Sequence, residues 1–187
     1  MGATDPKLPA QPSGGGAATS NTVWGCPSTP RSAGGPPLRA GEVYLPDEPA
    51  TEAFGRSLAT LVRPGDVITL RGDLGAGKTS LARGLLAALG LAGEAPSPTF
   101  AIVQPYQPPE VRMPVLHVDL YRIADAAEIE ELGLDEARVD SVLVVEWPER
   151  AGAGYWPDAL ALRLDFVEDG RRLTAEVPEG WRPRWPT

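Results

Sequence analysis

The stretch Val67-Ile68-Thr69-Leu70-Arg71-Gly72-Asp73-Leu74-Gly75-Ala76-Gly77-Lys78-Thr79-Ser80 decides the fold. Its first four residues form a β-branched, apolar strand signal. Ser80 to Leu89 then repeats leucine at Leu81, Leu85 and Leu89 on one helical face, and Gly90 supplies a stop. Between them, Gly72 to Thr79 fits GxxxxGK[ST]. Strand, glycine loop and helix in that order open a parallel α/β sheet, and the loop reads as a phosphate cradle. The chain has only two lysines, Lys7 and Lys78. From its composition, chance places two glycines and a hydroxyl correctly around either one with odds of roughly one in four hundred.

Working outward, Phe54, Leu58, Leu61 and Val62 recur at helical spacing between Glu48 and Val62, and Pro64-Gly65-Asp66 ends the pattern. Val115 to Asp119 and Val142 to Glu146 are apolar runs that each end in a carboxylate, as buried parallel strands do. Asp125 and Glu128 have the spacing of a capping box for a short acidic helix, which Gly133 can close. Leu160 to Phe166 and Leu173 to Val177 alternate around Glu168-Asp169-Gly170 and read as a hairpin. The expected fold is α/β and P-loop NTPase-like, a mainly parallel central sheet flanked by helices with a C-terminal antiparallel hairpin. Gly and Pro make up 15 of the first 42 residues and 27 of the remaining 145. Residues 1–42 therefore read as a disordered leader, 43–178 as the P-loop domain and 179–187 as a flexible tail.

Of the 187 residues, 17 are Lys or Arg and 25 are Asp or Glu, a net charge of −8. That balance argues against non-specific binding to nucleic acid or membranes, both of which need basic clusters. The single cysteine, Cys26, allows neither an intrachain disulfide nor a cysteine-based zinc site. Residues 1–20 lack a secretory signal pattern, and no apolar run is long enough to span a bilayer. The expected location is cytoplasmic, with no membrane contact.

Each type of residue in the loop has a chemical task. Glycines let backbone N–H groups curl around the β-phosphate, the helix N-terminus adds positive potential, Lys78 reaches the β- and γ-phosphates, and the Thr79 hydroxyl binds Mg²⁺. The expected cofactors are ATP/ADP and Mg²⁺, because Asn21 is the only asparagine and no NKxD guanine-reading motif exists. Asp119 and Glu146 both end strands at the edge where open α/β sheets place ligands, so either could be the Mg²⁺-side acid while the other orients the attacking water. In Ser97-Pro98-Thr99 a hydroxyl can meet the γ-phosphate, although a local turn explains the same residues. His117, the sole histidine, faces the same side as Asp119 and reads as a satisfied sheet histidine rather than a proton carrier. Trp147 either fills the core or stacks on a base.

Further motifs surround the loop: Leu45-Pro46-Asp47-Glu48 with Thr51, Ser97-Pro98-Thr99-Phe100, Asp119-Leu120-Tyr121-Arg122, Leu132-Gly133 and Val145-Glu146-Trp147-Pro148. In this order, over roughly residues 43–177, the chain resembles the TsaE family, ATPases of bacterial tRNA threonylcarbamoyladenosine biosynthesis. The resemblance implies an ATPase that binds the complex of the TsaD and TsaB subunits, supports its turnover and meets tRNA only indirectly. It also implies a nucleotide site made by Gly72, Asp73, Leu74, Gly75, Ala76, Gly77, Lys78, Thr79 and Ser80, with Thr99 nearby. Lys78 would contact phosphate, Thr79 and Glu146 would bind Mg²⁺, Asp119 would assist hydrolysis and Trp147 would border the nucleotide. Glu48 and Gly170 match positions around the base and ribose. The chain departs from the family core in its leader, 1–42, and in the proline-rich loop Gln104 to Pro114.

Two other functions fit the same loop. A nucleotide-gated binding module would use ATP to order Ser97 to Phe100, with hydrolysis incidental. A small-molecule kinase would need an arginine-bearing lid, and the span between the loop helix and the hairpin offers only Arg112, Arg122, Arg138 and Arg150.

Overall fold

The computed structural model describes Met1, Gly2 and residues 41–186. The leader assigned to 1–42 therefore lies almost wholly outside the described residues. Along the chain run β1 (Glu42–Leu45), α1 (Glu48–Leu58), β2 (Val67–Arg71), α2 (Lys78–Ala88), β3 (Val103–Tyr106), β4 (Val115–Asp119), α3 (Ala126–Glu131), α4 (Leu134–Ala137), β5 (Val142–Glu146), β6 (Leu160–Val167) and β7 (Gly170–Glu176). Short 3-10 turns cover Pro148–Ala151 and Glu179–Trp181.

One seven-stranded sheet orders its strands β1-β7-β6-β2-β5-β4-β3. The centre is parallel, β2 pairing with β5 and β6, and β4 with β5. Both edges are antiparallel, β6–β7 and β7–β1 on one side and β3–β4 on the other. The sheet is mixed: the parallel centre and the C-terminal hairpin are present, framed by two additional edge strands. β5 is buried at every position because both of its faces are covered, which is why it reads as an unbroken apolar run. β6 buries Leu160, Leu162 and Leu164 on one side only, hence its alternation.

Two apolar layers sandwich this sheet. Ile68, Leu70, Val142, Val144 and Leu162 pack with Leu58, Leu81 and Leu85 of α1 and α2, while Val67, Leu143, Val145 and Val118 pack with Ile129 and Leu134 of α3 and α4. The capping box at α3 forms as its spacing predicts, with Asp125 accepting from Ala127 N and Glu128 accepting from Asp125 N. α1 and α2 meet almost backbone to backbone. A methyl group placed on Gly84 would lie 2.0 Å from the Glu52 carbonyl oxygen, and one on Gly55 would lie 2.0 Å from that of Leu81.

Three features differ from the sequence reading. The tail read as flexible over 179–187 is anchored within its described part: Trp181 is buried, and Arg184 bonds the Leu61 carbonyl at 2.7 Å and Asp66 Oδ1 at 2.7 Å. A local scan misses this because the partners lie more than a hundred residues away. The segment Gln104 to Pro114 begins within β3, an edge strand, where Pro105 is tolerated. The loop helix begins at Lys78 rather than Ser80. Because neither helix can retreat at the glycine contact, Gly84→Ala is expected to lower stability by about 1–3 kcal/mol, read as a shifted urea midpoint with an unchanged slope.

Candidate nucleotide-binding site

The parallel strands β2, β5 and β4 end side by side, and the phosphate loop leaves the first of them. Register pairs Leu70 with Glu146 and Asp119 with Glu146, so both strand-end acids stand next to the loop. The turn out of β2 requires a glycine: Gly72 has φ +140, and a Cβ there would come within 2.3 Å of the Leu164 carbonyl oxygen of β6. α2 starts at Lys78, so its free N–H groups open toward the same space.

A cleft of about 210 Å³ lies there, lined by Leu74, Gly75, Gly77, Lys78, Thr79, Ser80, Thr99, Asp119, Glu146 and Trp147 among others. Gly72, Asp73 and Ala76 build the loop without lining the cleft. Glu48 approaches from α1, its Oε1 accepting from Ser80 Oγ at 2.8 Å. Gly170 lies at the start of β7 against the Leu45 carbonyl and the Tyr44 ring. Its neighbour Arg171 brings Nε within 3.2 Å of the position a Cβ would take on Gly77. A larger hollow of about 390 Å³ beside Thr69, Arg71 and Trp156 contains none of the candidate catalytic, nucleotide-binding or metal-binding residues, so the smaller cleft is the candidate site.

Charge is concentrated in this cleft. Lys78 is buried, its Nζ donating to the carbonyls of Gly72 at 2.7 Å and Asp73 at 2.9 Å and lying 3.9 Å from the centre of the Trp147 ring. Burial pulls its ammonium below the ordinary lysine value, against the opposing pull of Glu146 and Asp119. Thr79 Oγ1 donates to Glu146, 2.9 Å from Oε1 and 3.2 Å from Oε2. The same Oε1 is 2.9 Å from His117 Nε2. Asp119 Oδ2 accepts from Thr99 Oγ1 at 2.6 Å and Oδ1 from the Tyr121 N–H at 2.9 Å. Ser97 Oγ meets Thr99 Oγ1 at 2.9 Å, tying Ser97-Pro98-Thr99 to the acid.

The donor set fits Mg²⁺. Mg²⁺ prefers hard oxygen ligands and is commonly held by one or two carboxylates together with substrate phosphates rather than by an all-protein cage. Here one hydroxyl and one buried carboxylate meet at the start of α2, and no three His, Cys, Asp or Glu side chains among the described residues converge to hold a metal.

Sequence reasoning passed over Tyr121, whose ring lies 5.0 Å from Trp147 in the cleft wall. Its place two residues after a strand-end acid was the available signal. His117, read as a satisfied sheet histidine, bonds the acid Glu146. Trp147 has φ 58, a left-handed conformation, and its ring forms the cleft wall over Lys78.

Comparison with known proteins places this arrangement. The family described as "Threonylcarbamoyl adenosine biosynthesis protein TsaE" matches residues 45–174. The chain belongs to the TsaE family. A Streptomyces coelicolor relative, "tRNA threonylcarbamoyladenosine biosynthesis protein TsaE", is 46% identical over 140 residues, 72% of this chain and 93% of the relative. A Haemophilus influenzae protein of the same name is 36% identical over 137 residues, 70% of this chain and 85% of its own. The crystal structure of Bacillus subtilis YdiB superposes with a TM-score of 0.64 at 28% identity, covering 76% of this chain and 88% of that one. The TsaE match spans the phosphate loop, both acids and the first five residues of β7.

The Thr99–Asp119 bond is the link from the 97–100 segment to the sheet that this site offers for test. Thr99→Val removes the donor to Asp119 Oδ2 and is expected to cost about 1–3 kcal/mol. Amide hydrogen exchange over residues 97–102 should quicken, while exchange in α2 stays as it was.

Proposed function

We propose that the protein is a Mg²⁺-dependent ATPase that acts with the TsaD and TsaB subunits in tRNA threonylcarbamoyladenosine formation and supports the turnover of that complex. The observation that carries the reading is the contact between Thr79 and the buried Glu146 carboxylate at the mouth of a phosphate loop, beside Lys78. A glycine loop alone could bind many anions. A hydroxyl and a carboxylate meeting at the start of its helix favour a cation and phosphates together.

Residue by residue, the loop N–H groups from Gly72 to Gly77 and the start of α2 bind phosphate oxygens, and Lys78 adds a positive charge. Thr79 and Glu146 would hold Mg²⁺, which when bound neutralises charge on the β- and γ-phosphate oxygens. Asp119 faces the cleft, its carboxylate held by Thr99 and Tyr121 N–H, and orients the attacking water. Trp147 walls the site over Lys78 and excludes water from it. Glu48 reaches Ser80 from α1, and Gly170 precedes Arg171, which lies against Gly77; Glu48 and Gly170 are taken as the positions around base and ribose.

Partner activation is supported by membership of the TsaE family. The net charge of −8 agrees with an ATPase that leaves tRNA to its partners. No helix among the described residues is long and apolar enough to cross a membrane, and a cytoplasmic place is proposed with the pathway.

The test is ATP hydrolysis with and without Mg²⁺, and with and without the TsaD and TsaB subunits. The wild type should turn over slowly alone and faster with the subunits, and Lys78→Ala should lose about 100-fold or more of that activity. Hydrolysis indifferent to the subunits would remove the partner role, and hydrolysis indifferent to Lys78 would remove the site.

A further inference from the structure

We infer that His117 is a positioning residue for Glu146: its Nε2–H holds the carboxylate from the core side so that the same group can serve a cation from the cleft side. The inference rests on the reading of the cleft as a Mg²⁺·nucleotide site and assigns a task to a residue that never enters that cleft.

Glu146 is 2% exposed at the end of β5. A buried carboxylate that lacks donors is costly, and one held by a single flexible donor can swing about its three side-chain torsions. Two groups approach it from different elements. Thr79 donates from α2, on the cleft side, and His117 Nε2 lies 2.9 Å from Oε1 from the neighbouring strand β4. His117 pairs in register with Val144 of β5 and Gln104 of β3, is 0% exposed, and does not line the cleft. It therefore acts through Glu146 and touches no substrate.

The ring has one polar task. Its Nδ1 is buried without a hydrogen-bond partner. A carboxylate only accepts, so the contact requires a proton on Nε2, while Nδ1 faces the core without a partner. A histidine kept only for packing would leave its donor elsewhere or be matched by an apolar ring. This one gives its donor to the acid. Outer groups of this kind orient carboxylate ligands, and their loss typically weakens metal affinity about 10- to 100-fold.

The test uses the full chain, fluorescent mant-ADP and a Mg²⁺ titration, with EDTA as the metal-free arm, for wild type, His117→Leu and His117→Gln. Glutamine places an amide nitrogen as many bonds from Cα as Nε2. His117→Leu should raise the Mg²⁺ concentration needed for half of the metal-dependent binding about 10- to 100-fold, His117→Gln should largely restore it, and mant-ADP affinity in EDTA should stay within about twofold. A leucine variant that titrates Mg²⁺ like the wild type, or a glutamine variant no better than leucine, overturns the assignment. A wild type whose nucleotide binding ignores Mg²⁺ overturns the site reading as well. Should the leucine variant fail to fold, the untagged wild type still decides: its single histidine yields one ¹⁵N-labelled imidazole. A proton on Nε2 supports the contact, and an Nδ1–H tautomer rules it out.

Discussion

The start of α2 is held where the strands end, and the rest of the molecule depends on that constraint. The chain leaves β2, turns at a glycine that lies against the β6 backbone, and enters a helix pressed against α1 with backbone nearly touching backbone. Side chains cannot fill such contacts, so α2 has little freedom to slide or tilt. Its N-terminus, with its unpaired N–H groups, therefore points at a fixed place above β2, β5 and β4. An anion-binding geometry emerges from packing before any charged side chain is counted.

Onto that frame the protein loads an unusual amount of buried charge for its size. Lys78, Asp119 and Glu146 are each less than 5% exposed and are held by backbone carbonyls, hydroxyls, a backbone N–H and one histidine. Each group would be expensive to bury alone, and they are tolerated because each has a partner within hydrogen-bond distance. The arrangement is preorganised: the acids are aimed by their neighbours rather than by solvent.

Membership of the TsaE family and the geometry lead to the same reading by separate routes. The family match extends over residues 45–174, the span that contains the loop, both strand-end acids and the first five residues of β7. The geometry shows why those distant motifs belong together, since Leu70, Glu146 and Asp119 are neighbours in register across three strands.

Local pattern was enough to read much of this from the chain alone. The apolar runs of β2, β4 and β5, the leucine face of α2, the Asp125–Glu128 cap and the β6–β7 hairpin are short-range features, and so is the glycine loop with Lys78 and Thr79. Periodicity also put Asp119 and Glu146 at strand ends. It could not show that β1 would pair with β7, that β3 would form within a proline-rich segment, or that Arg184 would anchor the tail on Asp66, because such contacts join residues that carry no mark of each other. Nor could it choose between the roles open to Trp147 and His117. Tertiary structure set the tryptophan in a left-handed turn, packed on the core and over Lys78, and brought the histidine's Nε2 to the carboxylate from the neighbouring strand. A buried polar group is defined by the partner it finds across the fold, and that partner is chosen by strand order rather than by sequence proximity.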